Sequence, residues 1–161
     1  MVVELRIAIE RLKDEHSALK KELEDVQLKT SHMLATLGTD ESMDLLRELR
    51  RQMISYMKLI QDHEHWEEEE IFPVLERYAN QGMDPSFITS KWVMEEDHKQ
   101  AERFVRSFVD YADPSMAADS VKLKKAISLL SMACSAISEH LLTEEEMFFP
   151  IADQVLDEMQ D

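Results

Sequence analysis

The sequence predicts an all-α protein that folds as one up-down-up-down four-helix bundle. Only two glycines and four prolines occur in 161 residues, against 44% hydrophobic and 32% charged residues, which is typical of long helices with few turns. Turn-forming residues gather at three places, and the apolar residues between them recur every three or four positions. A chain of this length needs one core, so we expect residues 1–161 to form a single domain.

The three turn segments, residues 38–40, 80–85 and 112–114, separate four predicted helices. Gly38 and Gly82 suit the left-handed position that follows a helix, while Thr39 or Asp40 suits the cap of the next one. Asp84 followed by Pro85 likewise suits the start of a helix. The predicted helices run near residues 3–37, 41–79, 85–112 and 116–157.

Each predicted helix has an apolar stripe in steps of four and three residues, which is the seam of a coiled-coil-like bundle. In the first two helices the seam residues are Leu5, Ile9, Leu12, His16, Leu19, Leu23, Val26, Thr30 and Met33, then Leu46, Leu49, Met53, Tyr56, Ile60, His63, Glu67, Glu70 and Val74. In the last two they are Phe87, Met94, His98, Ala101, Val105 and Phe108, then Leu123, Ala126, Leu130, Ala133, Ile137, His140, Glu144, Met147 and Ile151.

Every seam carries one histidine, and the second and fourth seams add a glutamate one turn later. An ionised carboxylate that is buried without a partner costs several kcal/mol or more, and a domain is stable by only about 5–15 kcal/mol. Glu67 and Glu144 therefore require positive charge beside them. The seams predict two divalent or trivalent metal ions, with the histidines completing their coordination.

Helix lengths test whether these residues meet. At 1.5 Å per residue, His16 and His63 are expected at the same depth, with His98 within about 5 Å of them. The third connection does not place its two histidines at one depth, because straight helices would put His140 about 15 Å from the level of His98. We therefore expect residues 113–122 to form a loop or an overhanging turn.

Residues 63–73 and 140–150 both read HxxxEEExxFP. A histidine and a glutamate four residues apart lie on one helix face, as a metal requires when one helix supplies two ligands. The proline that ends each motif removes a helix hydrogen bond and is expected to bend the helix beyond the site. Each copy follows another seam histidine by 42 to 47 residues (98 to 140 and 16 to 63).

With these motifs, nearly the whole chain resembles the hemerythrin-like (HHE cation-binding) family. The resemblance implies two half-sites, His16, His63 and Glu67 in one and His98, His140 and Glu144 in the other. It further implies two non-heme iron ions that share an oxo or hydroxo bridge and the two glutamates. These ligand types suit manganese and zinc as well.

The chain departs from oxygen-carrying hemerythrins, which have a second histidine on the third helix and end in HxxxxD. Here four histidines imply a more open site or an extra ligand, with Glu70 or Glu102 as candidates. The paired HxxxE motif is closer to family members linked to iron-sulfur-cluster repair, nitric oxide response or iron sensing. We expect a di-iron protein that binds a small ligand (dioxygen, nitric oxide or peroxide) or handles iron. The alternatives are a di-iron oxidase or peroxidase, or a metal-free helical interaction domain.

Other polar and reactive residues are expected outside the ligand set. Glu68, Glu69, Glu70, Glu145 and Glu146 are expected on a solvated face with some contacts around the site, although Glu70 falls on the seam, and His32 and His65 are expected away from the site. Tyr56 is expected to pack in the core, with a hydrogen-bonding or redox role near the metals as the alternative. Cys134 is expected to act as a small apolar residue.

The net charge of −16 repels phosphate, so neither nucleic acid nor an anionic membrane is an expected partner. The first 16 residues carry charges within their apolar stretch and read neither as a signal peptide nor as a membrane span. The single Cys134 agrees with a reducing compartment. We therefore expect a cytoplasmic protein, and the sequence identifies no protein partner.

Overall fold

A computed structural model describes residues 2–79, 86–113 and 119–160, and the side chains of residues 4–77, 92–113 and 119–158. The helices are α1 (Val2–Ala35), α2 (Asp40–Trp66), α3 (Phe72–Ala79), α4 (Ser86–Tyr111) and α5 (Ser120–Gln160), and a π-helical segment, Glu67–Ile71, joins α2 to α3. Within these ranges there is no strand. The continuous rod of α2, the π segment and α3 makes this a four-helix bundle, as predicted.

The connection between α1 and α2 agrees with the sequence prediction, whereas the start of the fourth helix does not. Gly38 has φ of 82°, the left-handed position expected after α1. Thr39 caps α2, because its side-chain oxygen accepts a hydrogen bond from the Ser42 N–H at 3.2 Å. The predicted start at 116 is wrong, since α5 begins at Ser120 and so includes residues 120–122, which were expected in a loop. Residues 114–118 and the turn at 80–85 lie outside the described residues.

The predicted seams are buried along most of the bundle. All nine seam residues of α1 are buried, as are those of α4 from Met94 onward and those of α5 from Leu123 to Glu144. Phe87 lies outside the described side chains. Past the two glutamates the predicted register is wrong: Glu70 and Met147 are exposed, Val74 and Ile151 are only half-buried, and the next residues along, Ile71, Leu75, Phe148 and Ala152, are buried instead.

A π segment accompanies the changed register in the second rod, whereas the fourth rod makes the same change within a continuous α-helix. The Phe72 N–H donates to the Glu67 carbonyl five residues back, so this turn contains one more residue than an α-helical turn. Pro73 follows directly, and a proline has no N–H and crowds the carbonyl four residues before it. Proline alone does not impose the π turn, since α5 stays α-helical through Pro150.

The core consists of two apolar clusters with polar residues between them. The larger cluster includes Leu19, Leu49, Phe108 and Leu130, and it fills the end of the bundle that holds the α1–α2 turn. The smaller cluster includes Leu12, Phe72, Met94, Phe148 and Val155. Along each rod the predicted site residues fall between the members of the two clusters, except that His140 directly precedes Leu141 of the larger cluster. The four helices therefore pass through a polar layer in mid-core.

By length and composition alone, the stretch Ser120–Glu158 is apolar enough to cross a membrane. The core helix of a soluble protein passes the same test. In this bundle α5 packs along α1 and α4, with its seam inside the core. The expected lack of a membrane partner stays a prediction.

The register beyond Glu67 can be tested with two neighbouring substitutions. Ile71→Ala is expected to lower the free energy of unfolding by about 2–5 kcal/mol, because it empties a buried site. Glu70→Ala removes an exposed side chain and is expected to change it by no more than about 0.5 kcal/mol. Urea unfolding of the metal-free protein measures both values. A larger loss for Glu70→Ala than for Ile71→Ala would contradict the π-helical register.

Candidate metal centre

The six predicted site residues meet in the polar layer of the core. His16 comes from α1, His63 from α2, Glu67 from the start of the π segment, His98 from α4, and His140 and Glu144 from α5. None of the six is more than 6% exposed. The predicted mismatch between His98 and His140 does not keep them apart, since their ring centroids lie 4.1 Å from each other.

His16, His63, Glu67 and Glu144 form what we call the first cluster, in which one candidate ligand atom of each residue lies within 4.8 Å of the others. The Nε2 atom of His16 lies 3.8 Å from Glu67 Oε1 and also contacts Glu144 Oε2. The Nε2 atom of His63 lies 3.7 Å from Glu144 Oε2 and also contacts Glu67 Oε1. Two imidazoles thus share two carboxylates.

Glu64, His98 and His140 form the second cluster by the same distance criterion. The remaining oxygen of Glu144 faces this cluster, because Glu144 Oε1 lies 3.5 Å from His98 Nε2 and 3.1 Å from His140 Nε2. Glu144 therefore presents one carboxylate oxygen to each cluster. This position between the clusters is the one that the family resemblance implies for a bridging carboxylate.

Glu64 is the candidate ligand that the sequence analysis missed. It lies next to His63 in the chain, off the predicted seam, yet its side chain is only 13% exposed. The shortage of histidines had indicated an extra ligand, but neither candidate considered for it belongs to a cluster. Glu70 is exposed, and Glu102 pairs with Arg106 and Gln61 at the surface.

The two clusters contain an unusual number of buried polar atoms without a hydrogen-bond partner among the described residues. These atoms are Nδ1 and Nε2 of His16 and His140, Nε2 of His63 and His98, Oε1 of Glu64 and Glu67, and both carboxylate oxygens of Glu144. Buried polar atoms are nearly always paired, and each unpaired one requires an explanation. Imidazole nitrogens with carboxylate oxygens form a donor set that suits iron, manganese or zinc, so the residues present fit a metal.

The histidines and carboxylates of the first cluster shift one another's pKa values. Burial raises the pKa of Glu144, but contacts with His140, His16 and the other histidines outweigh burial and hold it well below its usual range. Burial lowers the pKa of His16 and His63, yet contacts with Glu144 and Glu67 raise it to about 9 for His16 and about 11 for His63. In the metal-free protein, imidazolium charges thus balance the carboxylates.

In the second cluster, histidine protons compensate less of the carboxylate charge. Burial raises the pKa of Glu64 to about 8, and the charges of Glu144, Glu67 and Glu68 act in the same direction. Burial also lowers the pKa of His98, only partly opposed by its contact with Glu144. At neutral pH the metal-free protein therefore holds a neutral Glu64 here.

The remaining sequence predictions can be compared with the structure residue by residue. Tyr56 is buried, and its hydroxyl donates to the Leu19 carbonyl at 2.7 Å, in agreement with a core role. Cys134 is a buried free thiol whose pKa burial raises to about 11. His32 and His65 are exposed and pair with glutamates away from both clusters.

A family model described as Hemerythrin HHE cation binding domain matches residues 7–152. This range includes all seven residues of the two clusters. Comparison with curated proteins and with solved structures gave no match.

Glu64 predicts a specific pH dependence of stability in the metal-free protein. Because its folded pKa of about 8 exceeds the ordinary value of 4.5, its contribution is fully present below pH 4.5 and is lost as the pH rises through 8. Glu64→Gln cannot ionise and does not lose this contribution. As the pH rises across this window, the free energy of unfolding of Glu64→Gln minus that of the unsubstituted protein is therefore expected to increase, by up to roughly 4 kcal/mol. Urea unfolding in chelator from pH 5 to 8.5 measures the difference.

Glu69→Gln is the matched control, because it removes an exposed carboxylate of the same segment whose charge is not among those that act on Glu64. The gain of Glu64→Gln over this pH window is expected to exceed that of Glu69→Gln. A gain for Glu64→Gln no larger than that of the control would show that Glu64 ionises in the folded state and would contradict the prediction.

Proposed function

This chain belongs to the hemerythrin HHE cation-binding domain family, and from that membership we propose that it is a non-heme di-iron protein that binds a small ligand or handles iron. The ligand would be dioxygen, nitric oxide or peroxide, and the cellular role a stress response or iron-sulfur-cluster repair. The observation that carries the proposal is the burial of Glu67 and Glu144, each 1% exposed. Among the described residues, no lysine or arginine contacts either carboxylate.

The energetics of these carboxylates support metal binding. Protons on His16 and His63 offset the two charges in the metal-free protein, but they leave buried nitrogen and oxygen atoms without hydrogen-bond partners. Unpaired buried polar atoms cost about 1–3 kcal/mol each. Metal ions would satisfy these atoms and neutralise the carboxylates at once, so binding should add directly to the stability of the fold.

The residues of the two clusters would have different roles in such a centre. His16, His63 and Glu67 would hold one ion and Glu64, His98 and His140 the other, with one oxygen of Glu144 toward each. Bound iron would supply Lewis acidity and electrons to a small ligand. Aromatic side chains would limit the access of water to the site. Phe72 and Phe148 stack at 4.9 Å in the apolar cluster beside it, and the Phe149 ring lies 5.0 Å from the His16 ring.

Burial of the centre supports a small ligand. The candidate ligand residues are between 1% and 13% exposed, which leaves no open face on which a large substrate could meet the metals. Di-iron oxidase or peroxidase chemistry would use the same residues. We retain a cytoplasmic location as a prediction, in keeping with the single cysteine.

Metal content and its dependence on His63 test the proposal. Protein loaded anaerobically with Fe²⁺ and then desalted is expected to retain about two ions per chain, and removing them with chelator should lower the melting temperature. His63→Ala is expected to retain less iron and to lose most of that shift. His65→Ala is the control, because His65 is exposed two residues away. Elemental analysis and differential scanning calorimetry measure both quantities.

Protein that retains no metal and melts at the same temperature with or without chelator would contradict the proposal. If His63→Ala then also stabilised the fold, the metal-free interaction domain would be the better description. Parallel loading with Mn²⁺ and Zn²⁺ identifies the preferred ion.

Proton release on metal uptake provides a second test. At pH 7 the metal-free protein is expected to hold protons on His16, His63 and Glu64, since their pKa values of about 9, 11 and 8 all exceed 7. Metal ligands must be deprotonated, so loading both ions should release about three protons per chain, one from each group. Glu64→Gln should release one fewer. An indicator dye in weak buffer counts them, and uptake without any release would contradict this account of the centre.

A further inference from the structure

We propose that Arg11 and Glu15 act as positioning residues that fix the His63 imidazole for metal binding, which makes the first cluster the tighter of two unequal metal sites. This inference rests on the proposed metal binding. It concerns residues that belong to neither cluster and to neither HxxxE motif.

Contacts between α1 and α2 carry the inference. Glu15 Oε2 lies 2.8 Å from His63 Nδ1, the ring nitrogen that faces away from the cluster. The other oxygen of Glu15 accepts from Arg11 Nε at 3.2 Å. The Arg11 guanidinium in turn lies over the Trp66 ring, with its carbon 4.1 Å from the ring centroid. Trp66 is the last residue of α2 and directly precedes Glu67. The series of contacts from His63 through Glu15 and Arg11 therefore ends beside another residue of the first cluster.

The other three site histidines lack an equivalent anchor among the described residues. Nδ1 of His140 is buried without a hydrogen-bond partner. Nδ1 of His16 lies 3.7 Å from Glu145 and makes no hydrogen bond. Nδ1 of His98 is 3.5 Å from Glu64 Oε2, an oxygen of a residue that is itself a candidate ligand, and 3.9 Å from Glu68 Oε1, which is too far for a hydrogen bond. His63 is thus the one site histidine whose outer nitrogen is hydrogen-bonded to a carboxylate outside both clusters.

A hydrogen bond at Nδ1 has two consequences for a metal-binding imidazole. It fixes the tautomer and the ring orientation, so that Nε2 presents its lone pair to the metal, and it increases the basicity of that nitrogen. Arg11 holds Glu15 in place, and its stacking on Trp66 restrains its own side chain. The first cluster also contains the buried carboxylate of Glu67, whereas the second contains Glu64, whose side chain is 13% exposed, and Glu144 faces both. The hydrogen bond at Nδ1 and the more deeply buried carboxylate both favour the first cluster over the second.

The test is an anaerobic titration of metal-free protein with Fe²⁺ in competition with a chromophoric chelator. The unsubstituted protein should bind two ions in steps of different affinity. Loss of an outer hydrogen-bond partner typically costs 10–100-fold in metal affinity, so Glu15→Ala should weaken the tighter step by about that factor and leave the weaker step within about threefold. Glu15→Gln keeps an oxygen acceptor and should recover most of the affinity.

Glu10→Ala is the matched control, because it removes one exposed carboxylate from the same helix with the same change in net charge. Equal behaviour of Glu15→Ala and Glu10→Ala, or an equal loss in both steps, would overturn the positioning role while leaving metal binding intact. No iron uptake by the unsubstituted protein would instead overturn the proposed function, and this inference with it.

Two further measurements keep the test decisive if Glu15→Ala folds poorly by circular dichroism. Arg11→Met keeps Glu15 but removes its cationic partner, and it should weaken only the tighter step, by less than Glu15→Ala would. Imidazole ¹⁵N NMR of the protein loaded with diamagnetic Zn²⁺ should show the His63 Nδ1 proton hydrogen-bonded in the unsubstituted protein and in Glu15→Gln. Absence of that signature in the unsubstituted protein would reject the anchor directly.

Discussion

Two ionised carboxylates in the middle of an apolar core set the constraint on which the rest of this bundle depends. Glu67 and Glu144 lie between the two apolar clusters, where neither water nor a lysine or arginine of the described residues reaches them. Each of the four rods meets the constraint with one histidine at the same level. The negative charge of these carboxylates is balanced by protonated histidines in the metal-free protein and by metal ions in the proposed holoprotein.

The π segment begins at one of these two carboxylates. In a regular seam the residue after Glu67 would be Glu70, which would bury another carboxylate beside Glu67 in the same rod. In the structure Ile71 lies in the core and Glu70 in solvent, and the π turn spans this step. The apolar cluster beyond the site can then close with Phe72 and Leu75. π-Helical turns are frequent at functional sites, and here the turn separates a polar layer from the apolar packing that follows it.

Periodicity predicted the buried face of each helix through the polar layer, but not beyond it in the second and fourth rods. The α1 seam and the six site residues are visible in the spacing of the sequence, because a helix face repeats every 3.6 residues. The Thr39 cap region is visible in its turn residues instead. Glu64 and Glu15 were not predictable in this way, since each acts through a side chain that reaches from beside the seam to a histidine. The first residue of α5 could not be predicted either, because the rise per residue gives the length of a helix but not the angle at which it crosses its neighbours.

The repeated motif explains why the two halves of the site differ. Both copies place a histidine and a glutamate on one face, yet only the first contains Trp66 and a π turn, and only its histidine has Glu15 opposite Nδ1. In the second copy Leu141 follows His140, so the acidic residue for that half comes instead from Glu64 of the first copy. The first motif thus supplies candidate ligands to both clusters, and Glu144 of the second motif also faces both clusters. The sequence repeat determines which residue types are present, whereas the neighbours of each copy determine what each half of the centre can hold.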